Sequence, residues 1–372
     1  MISVTSDFDN GNIRVIDAAD PAAIRLEIAP DGEAAFHQWF YYRVAGAKGR
    51  DLVMNIENAG KSSYVGGWKG YNAVASYDGE TWFRIDTGYA DGVLTMRHRP
   101  EQDEIAYAYF AAYPAARVDA FAEEMRKTGR FGYENLGESL DGQALHYFQV
   151  GEGPLNFWVI ARQHPGETMG SWWMEGFLRA LADGDPVVGD LLTRATLHIV
   201  PCMNPDGAKR GHLRTNAAGV DLNRAWRNTT PDKSPEVFHV REKMRATGVD
   251  FFLDVHGDEA IPNNFLDSAE GVPVWDDRQA ALFRAYSDAL LKISSEFQTK
   301  DGYPASPPGK ANLDIANKYV AETWRCLSMT LEMPFKDADV NPDPDVGWSP
   351  ARCANFAREH LRAMAQIVGE IG

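Results

Sequence analysis

Leu155–Ala161 is a nearly unbroken apolar run, and the pattern it begins constrains the fold more than any other feature. A helical stretch follows over residues 168–182. Strand-like runs come at 195–201, 250–255 and 327–331, with helices over 282–293 and 351–371. Apolar runs of strand length that alternate with helices belong to a sheet covered on both faces, an α/β architecture. Ligands in such sheets bind beyond the carboxyl ends of the strands, so reactive side chains are sought there.

The first part of the chain reads differently. Short alternating runs recur at 24–28, 36–44 and 52–56, separated by Asp31-Gly32, Gly46 to Gly49 and Asn58 to Gly60. Tyr77-Asp78-Gly79-Glu80 lies between runs at 71–76 and 81–85, a hairpin signal, and 105–110 reads as a further strand. Strands at this spacing with little helix predict an antiparallel sandwich. The pattern changes near Pro114, where a helix is expected over 116–127. Two domains follow: residues 1–114 as a β-sandwich and 115–372 as an α/β unit. No repeat of fixed period interrupts either.

Composition removes several classes. The 372 residues carry 37 basic and 53 acidic side chains, a formal charge of −16, which disfavours nucleic acid and anionic membranes as partners. No stretch approaches the roughly 20 apolar residues of a membrane span. Cys202, Cys326 and Cys353 form neither a paired framework nor a short-spaced metal motif. A reduced, cytoplasmic setting is expected.

Four strand ends carry reactive residues. The first continues Arg162-Gln163-His164-Pro165-Gly166-Glu167, where Pro-Gly shapes a turn and His and Glu three apart can face one point. Imidazole and carboxylate are zinc ligands, and two His with one Glu is a known catalytic set that leaves a position for water. His256 ends another strand and is the candidate third ligand, with Asp254 and Asp258 beside it as candidate partners. Glu332 ends the last strand and puts a carboxylate at the rim, where a general base is needed. The remaining strand runs into Pro201-Cys202-Met203-Asn204-Pro205-Asp206-Gly207, a turn by composition. After it come Arg214, Asn223 and Arg224, two arginines and an asparagine in one irregular segment, able to converge on an anion.

His164-Pro165-Gly166-Glu167, Asn204-Pro205-Asp206-Gly207, Gly219-Val220-Asp221-Leu222-Asn223-Arg224, His256-Gly257 and Leu331-Glu332 together resemble the zinc carboxypeptidase family. The resemblance is to its cytosolic carboxypeptidase branch, which in eukaryotes removes glutamate from tubulin and other proteins. It covers about residues 130–345, and the preceding β-rich stretch resembles the amino-terminal sandwich of that branch. It implies a mixed-sheet catalytic domain with helices on both faces and one zinc per chain. It also implies peptide or protein C-termini as substrate.

Residue by residue, the resemblance places His164, Glu167 and His256 on the zinc and makes Glu332 the general base. Arg214 becomes the stabiliser of the oxyanion, Asn223 and Arg224 the clamp on the terminal carboxylate, and Asp221 the acid that hydrogen-bonds the first His. A tyrosine near the site is expected before Glu332, with Tyr303 and Tyr319 as candidates. The branch also implies a basic residue for an acidic side chain; Lys310, Lys318 and Arg325 are available. An alternative is a zinc-dependent N-acyl amino acid deacylase of the aspartoacylase or succinylglutamate desuccinylase type. Those enzymes usually carry their extra domain after the catalytic part. A non-enzymatic binding module would require a broken ligand set or a missing base, and all four positions are filled.

Overall fold

The computed structural model describes residues 2–184 and 186–371. The β-rich part forms two five-stranded sheets. One runs Ser3–Thr5, Tyr41–Ala45, Ile105–Ala108, Val74–Ser76, Phe83–Arg84 and is antiparallel throughout. The other runs Arg14–Asp17, Ile24–Glu27, Leu52–Ile56, Val93–His98, Asp86–Ala90 and contains one parallel pair, Ile24–Glu27 with Leu52–Ile56. The sheets meet face to face: the Tyr42 hydroxyl lies 3.2 Å from Met54 Sδ, and His98 Nδ1 lies 3.0 Å from the Tyr107 hydroxyl.

The expected hairpin forms, with Val74 paired to Arg84 and Ala75 to Phe83. Asp78 fixes its turn by accepting from the backbone of Glu80 (2.8 Å) and Thr81 (2.7 Å). The expected strand at 36–44 is shorter, Tyr41–Ala45. The preceding residues are held by side chains instead. Gln38 accepts from the Tyr64 backbone N–H at 2.8 Å, and the Trp39 indole donates to the Asn10 carbonyl at 3.0 Å. Such local alternatives compete with a ladder.

The seven-stranded sheet runs Gly132–Glu138, Ala144–Val150, Ala195–Val200, Leu155–Ala161, Phe251–Asp258, Leu327–Pro334, Phe265–Ser268. Its four inner strands are parallel and its edge pairings antiparallel, a mixed sheet. Strand Leu155–Ala161 explains its apolar run: Phe157, Val159 and Ala161 enter the core on one face, Trp158 and Ile160 the other. Fully burying such side chains stabilises by about 1.5–3 kcal/mol each. Met169–Asp183, Asp277–Ile293 and Pro350–Ile371 cover the first face. Pro235–Thr247 and Ala316–Trp324, neither expected from sequence, contribute to the second core. Asn-Pro-Asp-Gly at 204–207, expected to be a turn, starts the helix Pro205–Arg210. Asn204 caps it by accepting from Gly207 N at 2.9 Å, proline occupies the first turn, and left-handed Gly211 ends it. Among the described residues no helix is long and apolar enough to cross a membrane.

Candidate active site

The parallel strands end together. Strand Leu155–Ala161 is followed by Arg162, left-handed at φ 62° and fully buried. Such backbone costs on the order of 1–3 kcal/mol for a non-glycine residue. It is held by guanidinium bonds to the carbonyls of Pro165 (2.7 Å) and Tyr113 (3.0 Å) and the Ser171 hydroxyl (2.8 Å). The turn it locks carries His164 and Glu167.

His164 Nδ1 lies 2.6 Å from Glu167 Oε1, and His256 Nδ1 lies 2.8 Å from Glu167 Oε2. The two Nδ1 atoms are 3.2 Å apart. All three side chains are buried, with donor atoms within 4.8 Å of one another. On the far side of each ring stands a carboxylate: Asp221 Oδ1 at 3.1 Å from His164 Nε2, and Asp254 Oδ2 at 2.9 Å from His256 Nε2. Each carboxylate favours a proton on Nε2, which leaves the lone pairs of both Nδ1 atoms facing each other and Glu167. That donor set fits a divalent cation of zinc's ligand preference.

The electrostatics agree. Burial opposes charge on Glu167, but His164 and His256 outweigh it and hold the carboxyl well below its ordinary range. Burial likewise opposes charge on His256, and there Asp254 and Glu167 prevail and raise its pKa. The centre favours positive charge.

Glu332 pairs in register with His256 on the neighbouring strand. It is buried, and its Oε2 has no hydrogen-bond partner. Burial pushes its carboxyl well above the ordinary range; His256 opposes this, while Glu167, Asp258 and Asp267 add to it. His164, Glu167, Glu332, Arg214, Asn223 and Arg224 all line one cavity of about 400 Å³. The Arg214 Nε donates to Asp221 Oδ2 at 2.7 Å, so Asp221 touches His164 with one oxygen and Arg214 with the other. Asn223 Oδ1 accepts from Ala316 N at 2.8 Å, and its Nδ2 lies 3.4 Å from His256 Nε2. The Arg224 Nη1 donates to the Asn223 carbonyl at 2.7 Å.

The remaining candidates separate. Tyr303 lines the cavity and donates to Asp258 Oδ2 at 2.6 Å. Tyr319 packs in the second core, with ring centroids 6.1 Å from Trp226 and 6.3 Å from Trp324 and the Arg241 guanidinium over its face. Lys318 is buried; its Nζ donates to Asp267 Oδ2 at 2.9 Å and to the Ser268 carbonyl, and Asp267 lines the cavity. Lys310 is exposed, and Arg325 is the left-handed residue that ends the helix Ala316–Trp324.

Sequence reasoning missed several members. Gln163 connects Asp254 (2.6 Å) to the Trp226 indole (2.8 Å). Tyr64 and Glu259 also line the cavity. Tyr64 sits 150 residues before Arg214, and no spacing signal reaches across that distance.

Comparisons with known proteins agree with this geometry. Residues 4–110 match the cytosolic carboxypeptidase N-terminal domain, and residues 118–345 match zinc carboxypeptidase. The chain is 46% identical over 371 residues to a Zymomonas mobilis protein, covering 100% of this chain and 97% of that one. It is 25% identical over 320 residues to cytosolic carboxypeptidase 1 of Gallus gallus, covering 72% of this chain but only 26% of the relative. The solved metallo-carboxypeptidase of Pseudomonas aeruginosa is 44% identical with a TM-score of 0.96, covering 100% of each chain. That of Burkholderia cenocepacia is 42% identical with a TM-score of 0.97, covering 99% of this chain and 100% of that one. With its sandwich, mixed sheet and converging donor set, the chain belongs to the zinc carboxypeptidase family.

Proposed function

We propose that the chain removes single residues from the free C-termini of peptides or proteins, with one zinc per chain held by His164, Glu167 and His256. The observation that carries this reading is one cavity lined by His164 and Glu167 of that donor set, by the carboxylate of Glu332, whose Oε2 has no partner, and by Arg214, Asn223 and Arg224, with His256 completing the donor set behind its wall. A zinc ion held by these three residues, His164, Glu167 and His256, would supply Lewis acidity to the scissile carbonyl and to water, and its charge would favour the ionised form of Glu332. Glu332 takes the proton of the attacking water and delivers it to the departing amine. Arg214 meets the negative charge that develops on the carbonyl oxygen. Asn223 and Arg224 grip the terminal carboxylate, which restricts cleavage to chain ends. Asp221 and Asp254 orient the two imidazoles.

The division into residues 1–114 and 115–372 belongs to the same reading. The helix starting at Ala115 and the matched spans 4–110 and 118–345 support it. A cytoplasmic location is supported by three buried, unpaired cysteines.

For the removed residue we assign an acidic side chain, with Lys318 as its partner. Of the candidate basic residues it is the buried one, 2.9 Å from cavity-lining Asp267. Asp267 competes for that charge and favours a second reading, a basic side chain. The Pseudomonas aeruginosa structure holds (2-guanidinoethylmercapto)succinic acid, a guanidino compound. Peptides ending in Glu, Asp, Lys, Arg, Ala and Phe, assayed with and without a zinc chelator, test both. Release of Glu at least tenfold faster than of Lys supports the acidic preference; the reverse order supports the basic one. Activity that survives chelation overturns the zinc mechanism. Faster hydrolysis of small N-acyl amino acids than of any peptide would favour the deacylase.

A further inference from the structure

We infer that the amino-terminal sandwich is a working part of the active site: Tyr64 and Asp31 are positioning residues that hold Arg214 from side chain and backbone. The inference rests on the role proposed above for Arg214.

The side-chain anchor is Tyr64, whose hydroxyl accepts from Arg214 Nη1 at 2.6 Å. The guanidinium is thereby held between two oxygens, Tyr64 on Nη1 and Asp221 on Nε at 2.7 Å. Its carbon also lies 5.8 Å from the Tyr64 ring centroid and 5.6 Å from that of Phe36. Tyr64 is itself fixed. The buried Gln38 side chain accepts from its backbone N–H at 2.8 Å and donates to its carbonyl at 3.1 Å. The next turn, Val65–Trp68, abuts the cavity wall: a Cβ on Gly67 would stand 2.9 Å from Glu259 Cβ.

The backbone anchor is Asp31, fully buried. Its carboxylate accepts from three successive N–H groups, Leu213 (2.6 Å), Arg214 (2.7 Å) and Thr215 (2.9 Å). Such charge-assisted bonds from consecutive amides fix the direction in which Arg214 leaves the chain. Upstream, Asn10 donates to the Ala208 carbonyl and Asn12 to the Gly211 carbonyl, both at 2.8 Å. Gly211 is left-handed, and a Cβ there would meet the Gly11 carbonyl oxygen at 2.4 Å. The segment that carries Arg214 is therefore moulded against residues 10–12, 31 and 64. A donor aimed at developing charge works by preorganisation, and an arginine with several rotatable bonds needs that support.

The test is a double-mutant cycle with Tyr64→Phe and Arg214→Ala, read as kcat and KM on one peptide, with melting temperature and zinc content for each variant. Tyr64→Phe removes only an oxygen. Expected is a fall in kcat of about tenfold with KM within about twofold, zinc and melting temperature unchanged. In the Arg214→Ala background the same change should cost less than twofold more, because the tyrosine acts through the arginine. Asp31→Asn keeps an acceptor oxygen and should retain more kcat than Asp31→Ala. Wild-type kcat in Tyr64→Phe, or losses that multiply in the double variant, overturn the inference. A harmless Arg214→Ala instead overturns the role of Arg214 itself.

Discussion

His256 and Glu332 are direct partners across two parallel strands, Phe251–Asp258 and Leu327–Pro334. One sheet register therefore sets the spacing between a metal donor and the proposed base. A slip of one residue would turn Glu332 to the opposite face of the sheet. The same pairing continues behind the site through Val255 with Leu331 and Leu253 with Met329, all fully buried, so the register is locked by the core.

Glu332→Gln keeps the shape of the side chain and removes its capacity to carry a proton. Expected is retained zinc, an unchanged or higher melting temperature, and turnover lower by about 10²–10⁴-fold. Stopped-time assays on a peptide substrate check it. Near-normal turnover would assign the base to another group.

The donor set predicts how metal is lost. His256→Ala should lose nearly all zinc, measured by elemental analysis after gel filtration. Asp254→Asn keeps the ligand but weakens its orientation, and should lower zinc affinity by about 10–100-fold in a chelator competition. Stoichiometric zinc in His256→Ala would refute the assignment.

The strand ends were legible because each apolar run stops at a reactive residue: Ala161 before the turn to His164, Val255 before His256, Leu331 before Glu332. The motif Asp221-Leu222-Asn223-Arg224 ends no strand; it is read from the arginines and asparagine of an irregular segment and from the family resemblance. Tyr64 and Asp31 were not, since they enter the site through tertiary packing with no periodicity of their own. Arg162 was passed over because a left-handed, buried arginine contradicts every local preference. Between Tyr303 and Tyr319 only three-dimensional packing decides. Tyr319 sits on a helix whose Ala316 and Val320 join the same core, and its ring is partly buried against it.

Glu236, buried at the start of helix Pro235–Thr247, gives a pH-dependent stability. Burial raises its pKa from 4.5 to about 7, against lowering by hydrogen bonds from its own backbone and from Asn216. The folded state therefore binds the proton more tightly than the unfolded state. Its contribution is fully present below about pH 4.5 and is lost as pH rises through 7. At ~1.4 kcal/mol per pH unit, ionisation costs the folded state up to about 3 kcal/mol. Glu236→Gln should raise the denaturant midpoint at pH 8 and leave it unchanged at pH 4.5. An equal shift at both pH values would show that the carboxyl's ionisation is not the cause.

The proposed clamp on the substrate's end makes the sharpest prediction. Arg224 is exposed at the cavity and fixed by its bond to the Asn223 carbonyl, so it is free to present its remaining donors to an anion. An Arg–carboxylate contact is charge-assisted and often bidentate, and truncating one such partner in a desolvated complex costs about 2–5 kcal/mol. Arg224→Ala should lower kcat/KM for a free-acid peptide by roughly 30- to several-thousand-fold, at about 1.4 kcal/mol per tenfold. Amidating the same peptide removes the charge that Arg224 reads. Amidation should therefore damage wild-type cleavage severely and the variant's much less, a non-additivity that a general loss of folding does not produce. Equal cleavage of amidated and free-acid peptides by the wild type would refute the clamp and, with it, the restriction to chain ends.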